Sequence, residues 1–574
     1  MEYGMPLRSL LNALPPRSRL YLATAVYGVA GGSIAVLFHQ CIHLLYSNTF
    51  EAWAHLTPLA FAWRTLALML GTSLIAGLLV ARVCPAAAGS GIPQMKLAFW
   101  TNFGWGEIRM VWVKFVAGAL TIGGGMSLGR EGPSVQMASV ISSGLARWLG
   151  VAKQKHRMPS AAGAAAGLAA AFNTPLAAVT FVLEEIIGDL NSRFLGNMLM
   201  ASLLGALVAH GLLGAQPAFR VDLPNEPGWH VFIMVPFAAT LATFVGLSFQ
   251  WSSLWIRSRI RVQRVFPTWL TPACAALFTW AVGFSVWKYT GRLGVFSLGY
   301  SDLSDALSGE LAWKIAALLL VTKFAATVVC YAFGSCGGVF APTLFFGGMA
   351  GLTAAGLGGL VMSISGPDQA VLAVVGMCAC LGAVVRAPVT GILIVFEMTH
   401  QFSLVLPLML GALISQAISR RLAPANFYDA LLEQDGHHLT RIIPPRDLES
   451  WQQLPVSAIA NFHPIVLPDL KTSTLRDAFN KHTFSCFPWV EAGRLCGIIT
   501  RREMEQSLIT GSEAQPSEFT TASPKEDIRT IQSRLITTKT GMLVICDSKE
   551  NVLGVVTLHD LLRAQMAYGE SVAG

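Results

Sequence analysis

The hexapeptide Gly129-Arg130-Glu131-Gly132-Pro133-Ser134 places two opposite charges side by side, bounded by glycines, in an apolar neighbourhood. Pro133 fits the first turn of an α-helix, where a backbone N–H group has no intrahelical partner in any case. A helix that begins here leaves unpaired N–H groups with positive partial charge pointing back toward Gly129 and Gly132. The hexapeptide therefore predicts a helix start that attracts an anion.

The carboxylate of Glu131 has two interpretations. When ionised, it can occupy the anion position at the helix start itself, and when protonated it can leave that position. Glu131 is then a gate that also carries a proton. The alternative is a structural ion pair with Arg130. Adjacent residues point apart on a helix, so local geometry favours the gate.

The composition around the hexapeptide is that of a membrane protein. Of 574 residues, 53% are hydrophobic and only 13% are charged, about half the charged fraction of a typical globular protein. The mean hydropathy is +0.55. Residues 445–574 contain 28 of the 72 charged residues, so the long N-terminal part is much poorer in charge than the tail. We predict that residues 1–444 are embedded in a membrane.

Several function classes do not fit this chain. The net charge of +8 arises in the apolar part, because the tail has 15 acidic and 13 basic residues. The dense basic and aromatic pattern of nucleic-acid sites is missing from the sequence. Ten scattered cysteines lack ligand spacing, and the sequence has no evident nucleophile–base pair or metal cluster. These patterns argue against nucleic-acid binding and against an enzyme.

Basic residues predict the orientation in the membrane. Arg8, Arg17 and Arg19 precede the apolar run that begins near Leu20, and no signal-peptide cleavage pattern follows. We expect this segment in the cytoplasm, where positive loops concentrate. Two further basic clusters are expected on the same side, namely Lys153, Lys155 and Arg157, and Arg257, Arg259, Arg261 and Arg264.

Glycine and proline interrupt many apolar runs, which predicts short or broken helices near a transport site. Two interruptions resemble the hexapeptide: Gly89-Ser90-Gly91-Ile92-Pro93 and Gly337-Gly338-Val339-Phe340-Ala341-Pro342. The first offers the Ser90 hydroxyl, although a simple N-cap is the alternative for Ser90 alone. The second offers the backbone N–H groups of Val339 and Phe340. Glycine-rich helix starts without the lysine of a phosphate loop suit a small, weakly held anion.

An internal repeat divides the apolar region. Two pairs of prolines have similar spacing, 42 residues from Pro133 to Pro175 and 46 residues from Pro342 to Pro388. Nine residues after each second proline stands a glutamate, Glu184 or Glu397. We interpret this as a duplication whose halves enclose a substrate site. The spacing leaves open whether the halves are parallel or inverted.

Glu184 and Glu185 end an apolar run, where an ionised group is expensive unless it is paired, hydrated or functional. Two adjacent glutamates cannot share one helical face, so we expect one to be structural and the other to lie on a proton route. Glu397, at the duplicated position, has no acidic neighbour. We expect Glu397 to be structural.

These motifs, in this order, resemble the CLC family of chloride channels and chloride/proton exchangers. The resemblance also includes Phe172-Asn173-Thr174-Pro175-Leu176-Ala177 and the late Pro424-Ala425-Asn426-Phe427-Tyr428, and it covers residues 20–432. It implies a mainly α-helical, polytopic membrane protein of two inverted repeats of tilted, broken helices. It also implies a homodimer in the inner membrane, with one anion pathway per subunit.

Carried over by position, the resemblance implies that chloride is held by the hydroxyls of Ser90 and Tyr428 and by the N–H groups of Val339 and Phe340. The late motif that contains Tyr428 is short. Nitrate-preferring relatives have proline at the position of Ser90, which favours chloride. The fluoride-specific branch departs from these motifs, which argues against fluoride.

The resemblance also implies two proton-carrying residues. Glu131 corresponds to the external gating glutamate. Glu185 corresponds to the internal proton-transfer glutamate of exchangers, where many channels carry an apolar residue. We therefore favour chloride/proton exchange, with a gated chloride channel without proton coupling as the alternative.

The tail is predicted to be a soluble α/β domain, with short strands at residues 487–490, 495–499, 542–546 and 552–556. Two segments 57 residues apart, Gly497-Ile498-Ile499-Thr500-Arg501-Arg502-Glu503 and Gly554-Val555-Val556-Thr557-Leu558-His559-Asp560, resemble the signature of a paired CBS module. In adenosine-binding relatives the Thr and the acid hold a ribose. The alternative is an empty structural or dimerising pair, because Thr-x-x-acid is also a capping box.

The predicted organisation has four parts: a cytoplasmic segment at residues 1–19, the membrane domain at residues 20–432, a linker at residues 433–454 and a cytoplasmic CBS pair at residues 455–574. The expected partners are chloride, protons, the lipid bilayer and a second copy of the chain. No cofactor is required for this function. An adenine nucleotide on Thr500, Glu503, Thr557 and Asp560 is the one cofactor that the motifs suggest.

Overall fold

The computed structural model describes residues 15–190, 192, 194–214, 219, 228–263, 266–437, 452, 454–538, 540–547 and 551–570. The chain forms two compact units, Met1–Arg441 and Ile442–Gly574. The division between them lies within the stretch predicted as a linker. Residues 1–14 of the predicted N-terminal segment and residues 438–451 of the predicted linker lie outside the described residues, as does Arg264.

The elements of the first unit that the structure describes are helices joined by loops, because a chain in a bilayer must satisfy its backbone hydrogen bonds internally. Eight of its described helices are long and apolar enough to cross a membrane. The helices of the first half are α1 (Pro16–Tyr46), α2 (Pro58–Arg82), α3 (Ile92–Thr101), α4 (Ile108–Gly123), α5 (Glu131–Trp148), α6 (Arg157–Phe172), α7 (Pro175–Phe181) and α8 (Leu195–Leu213).

The second half follows the same plan of long and short helices. Its helices are α9 (Trp229–Gln263), α10 (Thr271–Thr290), α11 (Tyr300–Leu307), α12 (Trp313–Ala332), α13 (Phe340–Gly358), α14 (Gly366–Val385), α15 (Pro388–Thr399), α16 (Val405–Leu422) and α17 (Phe427–Gln434). Helices α13 and α14 are almost wholly buried within the protein. The prediction of many short or broken helices is confirmed.

A backbone bridge relates the two halves. Gly129 and Gly338 each lie two residues before a helix start, that of α5 and that of α13. The N–H group of Gly129 donates to the Gly338 carbonyl (2.7 Å), and the N–H group of Gly338 donates back to the Gly129 carbonyl (2.6 Å). This antiparallel pairing of equivalent residues fits halves that are related by a two-fold axis, as inverted repeats are.

Small residues bring the central helices close together. Helix α6, which contains the Ala/Gly-rich residues 161–171, is buried along almost its whole length. A Cβ atom added to Gly163 would lie 2.5 Å from the Ala138 carbonyl oxygen, and one added to Gly167 would lie 2.8 Å from the Ser134 carbonyl oxygen. These distances are too short for any side chain, so the small residues of this stretch allow close helix packing.

The second unit contains two α-β-β-α segments that repeat one another. The first consists of α18 (Thr472–Lys481), β1 (Cys486–Glu491), β2 (Arg494–Thr500) and α19 (Arg501–Thr510). After β3 (Thr521–Ala522), the second consists of α20 (Ile528–Thr537), β4 (Met542–Cys546), β5 (Val552–Thr557) and α21 (Leu558–Glu570). The four predicted strands are confirmed, and α19 and α21 begin 57 residues apart, as the repeated motif predicts.

The strands of the tail form two small sheets. Strands β1 and β2 pair antiparallel, β3 pairs parallel with β4, and β4 pairs antiparallel with β5. Buried side chains of both segments, including those of Ile498, Val544 and Val555, form one shared apolar cluster. The two segments therefore share buried surface within the tail.

Candidate functional site

Three glycine-rich loops meet at the centre of the first unit. The N–H group of Gly337 donates to the Gly89 carbonyl oxygen at 3.3 Å, beside the Gly129–Gly338 bridge. A Cβ atom on Gly132 would lie 2.4 Å from the Ser90 carbonyl oxygen, so only glycine fits there. The starts of α3, α5 and α13, which the sequence predicts separately, thus come together at one place.

The hydroxyls of Ser90 and Tyr428 belong to this centre. Both side chains are fully buried, and the Tyr428 hydroxyl lies near the Ser90 hydroxyl. Among the residues that the structure describes, neither hydroxyl has a partner at regular hydrogen-bond geometry. A buried hydroxyl without a partner is costly, so two of them at a helix-start cluster favour a site that binds a polar ligand or an ion.

Helix starts set the positions of both hydroxyls. Gly91, with φ of 95°, turns the chain from Ser90 into α3. Asn426 caps α17 by accepting the Asp429 N–H group at 2.8 Å, which fixes the first turn that carries Tyr428. Both hydroxyls therefore lie at helix starts, and the start of α17 is capped by Asn426.

The carboxylate of Glu131 reaches across to the start of α13. Its Oε2 atom accepts the Ala341 N–H group at 3.3 Å, and its Oε1 atom accepts the Tyr300 hydroxyl at 2.9 Å. The side chain is fully buried. Val339, the N-cap of α13, and Phe340, its first residue, precede Ala341. The carboxylate thus lies at a helix start that favours anions.

Arg130 does not pair with Glu131, so the alternative of a structural ion pair between them is wrong. Its Nη2 atom donates to the Ala171 carbonyl oxygen at 3.0 Å, and its guanidinium carbon lies 5.7 Å from the centre of the Tyr300 ring. This contact is of the cation–π type. Arg130 therefore supports the tyrosine that holds Glu131.

Tyr300 is a contact of Glu131 that the motifs do not predict. It begins α11, after Gly299 in the left-handed region with φ of 74°. The preceding loop is held by Lys323, a fully buried residue whose Nζ atom donates to the carbonyls of Gly294 (2.7 Å) and Ser297 (2.9 Å). In the sequence, Tyr300 is marked only as an aromatic residue that follows a glycine at a helix start.

Glu185 lies in a different environment from Glu131. After α7 the chain widens into a π-helical turn, Val182–Ile187, a feature that is frequent at functional sites. The Glu185 Oε1 atom lies 2.6 Å from the Nζ atom of Lys96, and its Oε2 atom accepts the Asn426 amide at 2.8 Å. Lys96 is fully buried. The sequence motifs do not predict Lys96, although a lone lysine in an apolar helix is a costly feature.

Glu184 and Glu397 each cap the start of a helix in the other half of the first unit. The Glu184 carboxylate accepts the N–H groups of Val389 (3.2 Å) and Thr390 (2.8 Å), at the start of α15. The Glu397 carboxylate accepts the N–H groups of Leu176 (3.0 Å) and Ala177 (2.7 Å) at the start of α7. The arrangement is reciprocal, and it agrees with the structural role predicted for Glu397 and for one of the paired glutamates.

A polar cavity of about 420 Å³ lies against the paired glutamates. Its lining includes Glu184, Glu185 and Asp429, together with Arg386 and His437. The Glu185 side chain is only 2% exposed. Glu185 therefore stands between a charged cavity and the protein interior.

In the tail, the four predicted ribose-binding residues form two capping boxes. The Thr500 hydroxyl accepts the Glu503 N–H group (3.3 Å), and the Glu503 carboxylate accepts the Thr500 N–H group (2.7 Å). Thr557 and Asp560 repeat this exchange at 3.3 and 2.9 Å. Each acid is thus engaged at the start of its own helix, α19 or α21.

Comparison with known protein families identifies the first unit. The voltage gated chloride channel family model matches residues 72–420, a stretch that contains the three glycine-rich helix starts and both paired glutamates. The chain belongs to this family. A CBS domain model matches residues 516–567 of the tail.

Relatives of this voltage gated chloride channel family member include exchangers. The chain is 30% identical over 444 residues to "H(+)/Cl(-) exchange transporter ClcA" of Salmonella paratyphi A, which covers 73% of this chain and 88% of the relative. It is 31% identical over 439 residues to the protein of that name from Vibrio cholerae, covering 73% and 90%. The resemblance drawn from the motifs is confirmed.

Solved CLC structures have the same fold. A slow cyanobacterial Cl⁻/H⁺ antiporter is 26% identical, with a TM-score of 0.63 and coverage of 74% of this chain and 99% of the other. A eukaryotic CLC transporter has a TM-score of 0.62 at 21% identity and covers 96% of this chain and 98% of the other. The predicted fold class, a polytopic helical CLC domain with a small α/β domain, is confirmed. The protein is a multi-pass membrane protein of an anion-transporting family.

Proposed function

We propose that the protein exchanges chloride for protons across the membrane. The supporting observation is the position of Glu131, whose carboxylate binds an N–H group at the start of α13. A helix start also favours chloride, so the carboxylate and the anion compete for one position. Protonation removes the charge of the carboxylate and weakens its hold on Ala341, which leaves the helix start to chloride.

Chloride is proposed to be held by neutral donors, the hydroxyls of Ser90 and Tyr428 and the N–H groups of Val339 and Phe340. All four residues are buried. Neutral donors stabilise an anion less than a paired lysine or arginine does. A site of this kind binds chloride and also releases it, which transport requires.

Glu185 is proposed as the internal proton relay. Its carboxylate lines the polar cavity but is almost completely shielded, so it can exchange a proton with the cavity and pass it inward. Relatives named as H⁺/Cl⁻ exchange transporters at 30% identity support antiport. In the proposed cycle, Glu185 loads protons from one side and Glu131 exchanges them with the other.

A gated chloride channel without proton coupling is the second candidate. The observation that favours it is the ion pair between Glu185 and Lys96, because breaking a buried pair is unfavourable and a paired carboxylate can be purely structural. In that case the same anion site conducts chloride passively, with Glu131 as its gate.

Simultaneous measurement of chloride and proton flux distinguishes the two candidates. The full-length protein is reconstituted into vesicles with a chloride gradient and no initial pH gradient. Exchange predicts that chloride flow drives protons uphill, and that Glu185→Gln reduces the proton flux more than the chloride flux. Chloride flux without any uphill proton movement would exclude exchange and leave the channel.

Both termini are proposed to face the cytoplasm. Arg257, near the end of α9, lies 2.9 Å from Asp435, just beyond α17, and Arg261 also contacts Asp435. At the other end of the chain, Arg19 donates to the Leu149 carbonyl (3.4 Å) at the end of α5. Positive residues thus accompany the end of the membrane unit and the start of α1. Labelling of single cysteines introduced near either terminus, in intact and permeabilised cells, tests this orientation.

A homodimer with one anion pathway per subunit is proposed from the family resemblance. Exposed apolar side chains on the equivalent helices α8 and α16 are consistent with a partner or with lipid; they include Leu203, Leu207, Leu406 and Leu413. Single-molecule photobleaching of the labelled protein in vesicles tests the stoichiometry. One-step bleaching throughout would exclude the dimer.

For the tail we propose a structural CBS pair, supported by the two capping boxes, with an adenine nucleotide as the alternative. Calorimetric titration of the full-length protein with ATP, ADP and AMP separates the two. The structural role predicts no binding heat for any of them. Saturable binding that is lost in Asp560→Ala would instead favour nucleotide sensing at this motif.

A further inference from the structure

Lys96 holds two carboxylates, not one. Its Nζ atom lies 2.6 Å from Glu185 Oε1 and 2.6 Å from Asp429 Oδ1. The lysine side chain is completely buried, and a buried charge is tolerated only with close partners. One ammonium group between two carboxylates gives this cluster a net charge of −1 when all three groups are ionised.

The cluster joins the two helices whose starts bear the proposed anion-binding hydroxyls. Lys96 lies in α3, which begins just after Ser90, and Asp429 lies in α17, next to Tyr428. Asn426, the N-cap of α17, also donates its amide to Glu185. The cluster therefore contacts both helices that carry the proposed anion-binding hydroxyls.

The two carboxylates differ in exposure. The Asp429 side chain is 29% exposed, whereas those of Glu185 and Lys96 are 2% and 0% exposed. Both acids line the cavity of about 420 Å³. Water in this cavity thus has easier access to Asp429, and Glu185 lies one step deeper.

Other charged groups face this cavity. They are Glu184, Arg386, Arg420, Glu433 and His437. Glu184 is engaged at the start of α15, and Arg386 donates to the carbonyls of Ser419 (2.9 Å) and Ala423 (2.5 Å). Two of the described acids that line the cavity, Asp429 and Glu185, form an ion pair with Lys96.

We propose that Asp429 is the entry point for protons and that Lys96 is a positioning residue that couples Asp429 to Glu185. This inference rests on the proposed exchange function. A hydronium ion in the cavity transfers its proton to the Asp429 carboxylate, and Lys96 then pairs with Glu185 alone. The proton next moves to the Glu185 carboxylate, and Lys96 pairs with Asp429. Lys96 keeps its own proton throughout.

Each singly protonated state has the same charge balance. One ammonium faces one ionised carboxylate, so the net charge of the cluster is zero before and after the transfer. The proton can therefore move inward without placing an unpaired charge in the interior, where such a charge is strongly unfavourable. Because Lys96 contacts both acids, the two states have the same net charge.

The test measures protons moved per chloride in vesicles that contain the full-length protein. Asp429→Asn is expected to lower the proton flux by about tenfold, a modest loss for removal of a general acid–base group, and to lower the chloride flux much less. Lys96→Met is expected to lower the same ratio, and Lys96→Arg to retain it largely. Lys288→Met, at an exposed lysine, is the matched control.

The outcomes separate this inference from the proposed function. If the wild-type protein moves no protons uphill, the exchange function fails. A second case is a wild-type protein that couples the two ions, with Asp429→Asn leaving the ratio unchanged or lowering both fluxes in parallel. The proposed role of Asp429 is then overturned, and the exchange function stands. Should Lys96→Met fail to fold, the double variant Lys96→Met/Asp429→Asn, which keeps the net charge of the wild-type cluster, replaces it. If Lys96 acts through Asp429, the double variant lowers the ratio no further than Asp429→Asn alone, and a further loss would overturn the proposed role of Lys96.

Discussion

The two halves of the membrane unit agree at one pair of acidic positions and differ at two others. Glu184 and Glu397 are equivalent, and each caps a helix start in the opposite half. Glu131, the first residue of α5, corresponds to Phe340, the first residue of α13. Glu185, ten residues after Pro175, corresponds to Met398, ten residues after Pro388.

This difference separates structural acids from the acids proposed to carry protons. Glu184 and Glu397 occur at the same position of both halves and make the same kind of contact, so they stabilise the pseudo-symmetric scaffold. A carboxylate present in one half only is not required by the symmetry of the scaffold, as is expected of a residue with a transport role of its own. The comparison therefore predicts that variants of the unmatched acids change transport, whereas variants of the matched pair change stability.

The largest effect is expected at Glu131, the unmatched acid at the anion site. Glu131→Gln retains the shape of the side chain but cannot ionise or carry a proton. We expect proton flux driven by a chloride gradient to fall by about a hundredfold or more. Chloride flux should persist and lose its pH dependence.

The same vesicle assay checks this prediction, with Glu107→Gln as the control because Glu107 is exposed. A correctly folded Glu131→Gln protein that still moves protons uphill would remove Glu131 from the proton route. Complete loss of chloride flux in the folded variant would argue against a gate.

The next effect is expected at the matched pair, and it concerns stability. Glu184→Ala and Glu397→Ala each remove the acceptor of two backbone N–H groups at a helix start. We expect each variant to lose about 1.5–3 kcal/mol of unfolding free energy, the range for hydrogen bonds to a charged group. Glu184→Ala should lose slightly more, because Glu184 also accepts the Thr390 hydroxyl at 2.7 Å.

Thermal unfolding of the purified variants in detergent measures this effect, with Glu107→Ala as the control. The number of protons moved per chloride should stay at the wild-type value in both variants. A changed ratio in one variant of the pair would show that the two acids are equivalent in contacts but not in function.

The helix starts were predictable from the sequence because glycine and proline act locally. Gly91 permits the left-handed turn before α3 (φ of 95°), and Pro133 fixes φ in the first turn of α5 wherever the rest of the chain lies. The starts of α3 and α5 therefore follow from a few neighbouring residues. The spacing after Pro175 and Pro388 also predicts the duplication. The fold and the anion-attracting helix ends therefore needed little long-range information.

The partners of the carboxylates were not predictable in this way. Lys96 and Glu185 are 89 residues apart, and Tyr300 and Glu131 are 169 residues apart. The caps made by Glu184 and Glu397 cross between halves that are more than 200 residues apart in sequence. Spacing marks Glu184 and Glu397 as equivalent, but the exchange of caps depends on how the halves pack.

The smallest effect is expected at Tyr300, which has no charge and whose hydroxyl donates to the gate, Glu131. Tyr300→Phe removes the hydroxyl that donates to Glu131 Oε1 and leaves the ring under Arg130 in place. The gate then retains its contact with Ala341 but loses one hydrogen bond to a charged group. We expect faster release of the gate and a chloride turnover raised by up to about tenfold.

Protons moved per chloride should be unchanged in Tyr300→Phe, because both proton-carrying acids remain. Tyr289→Phe, at a tyrosine that is 85% exposed, is the matched control for loss of a hydroxyl. A slower turnover would mean that Tyr300 stabilises the open position of Glu131 and not the closed one. A lowered ratio would mean that the Tyr300 hydroxyl itself belongs to the proton route. The proton-carrying residues would then include more than Glu131 and Glu185.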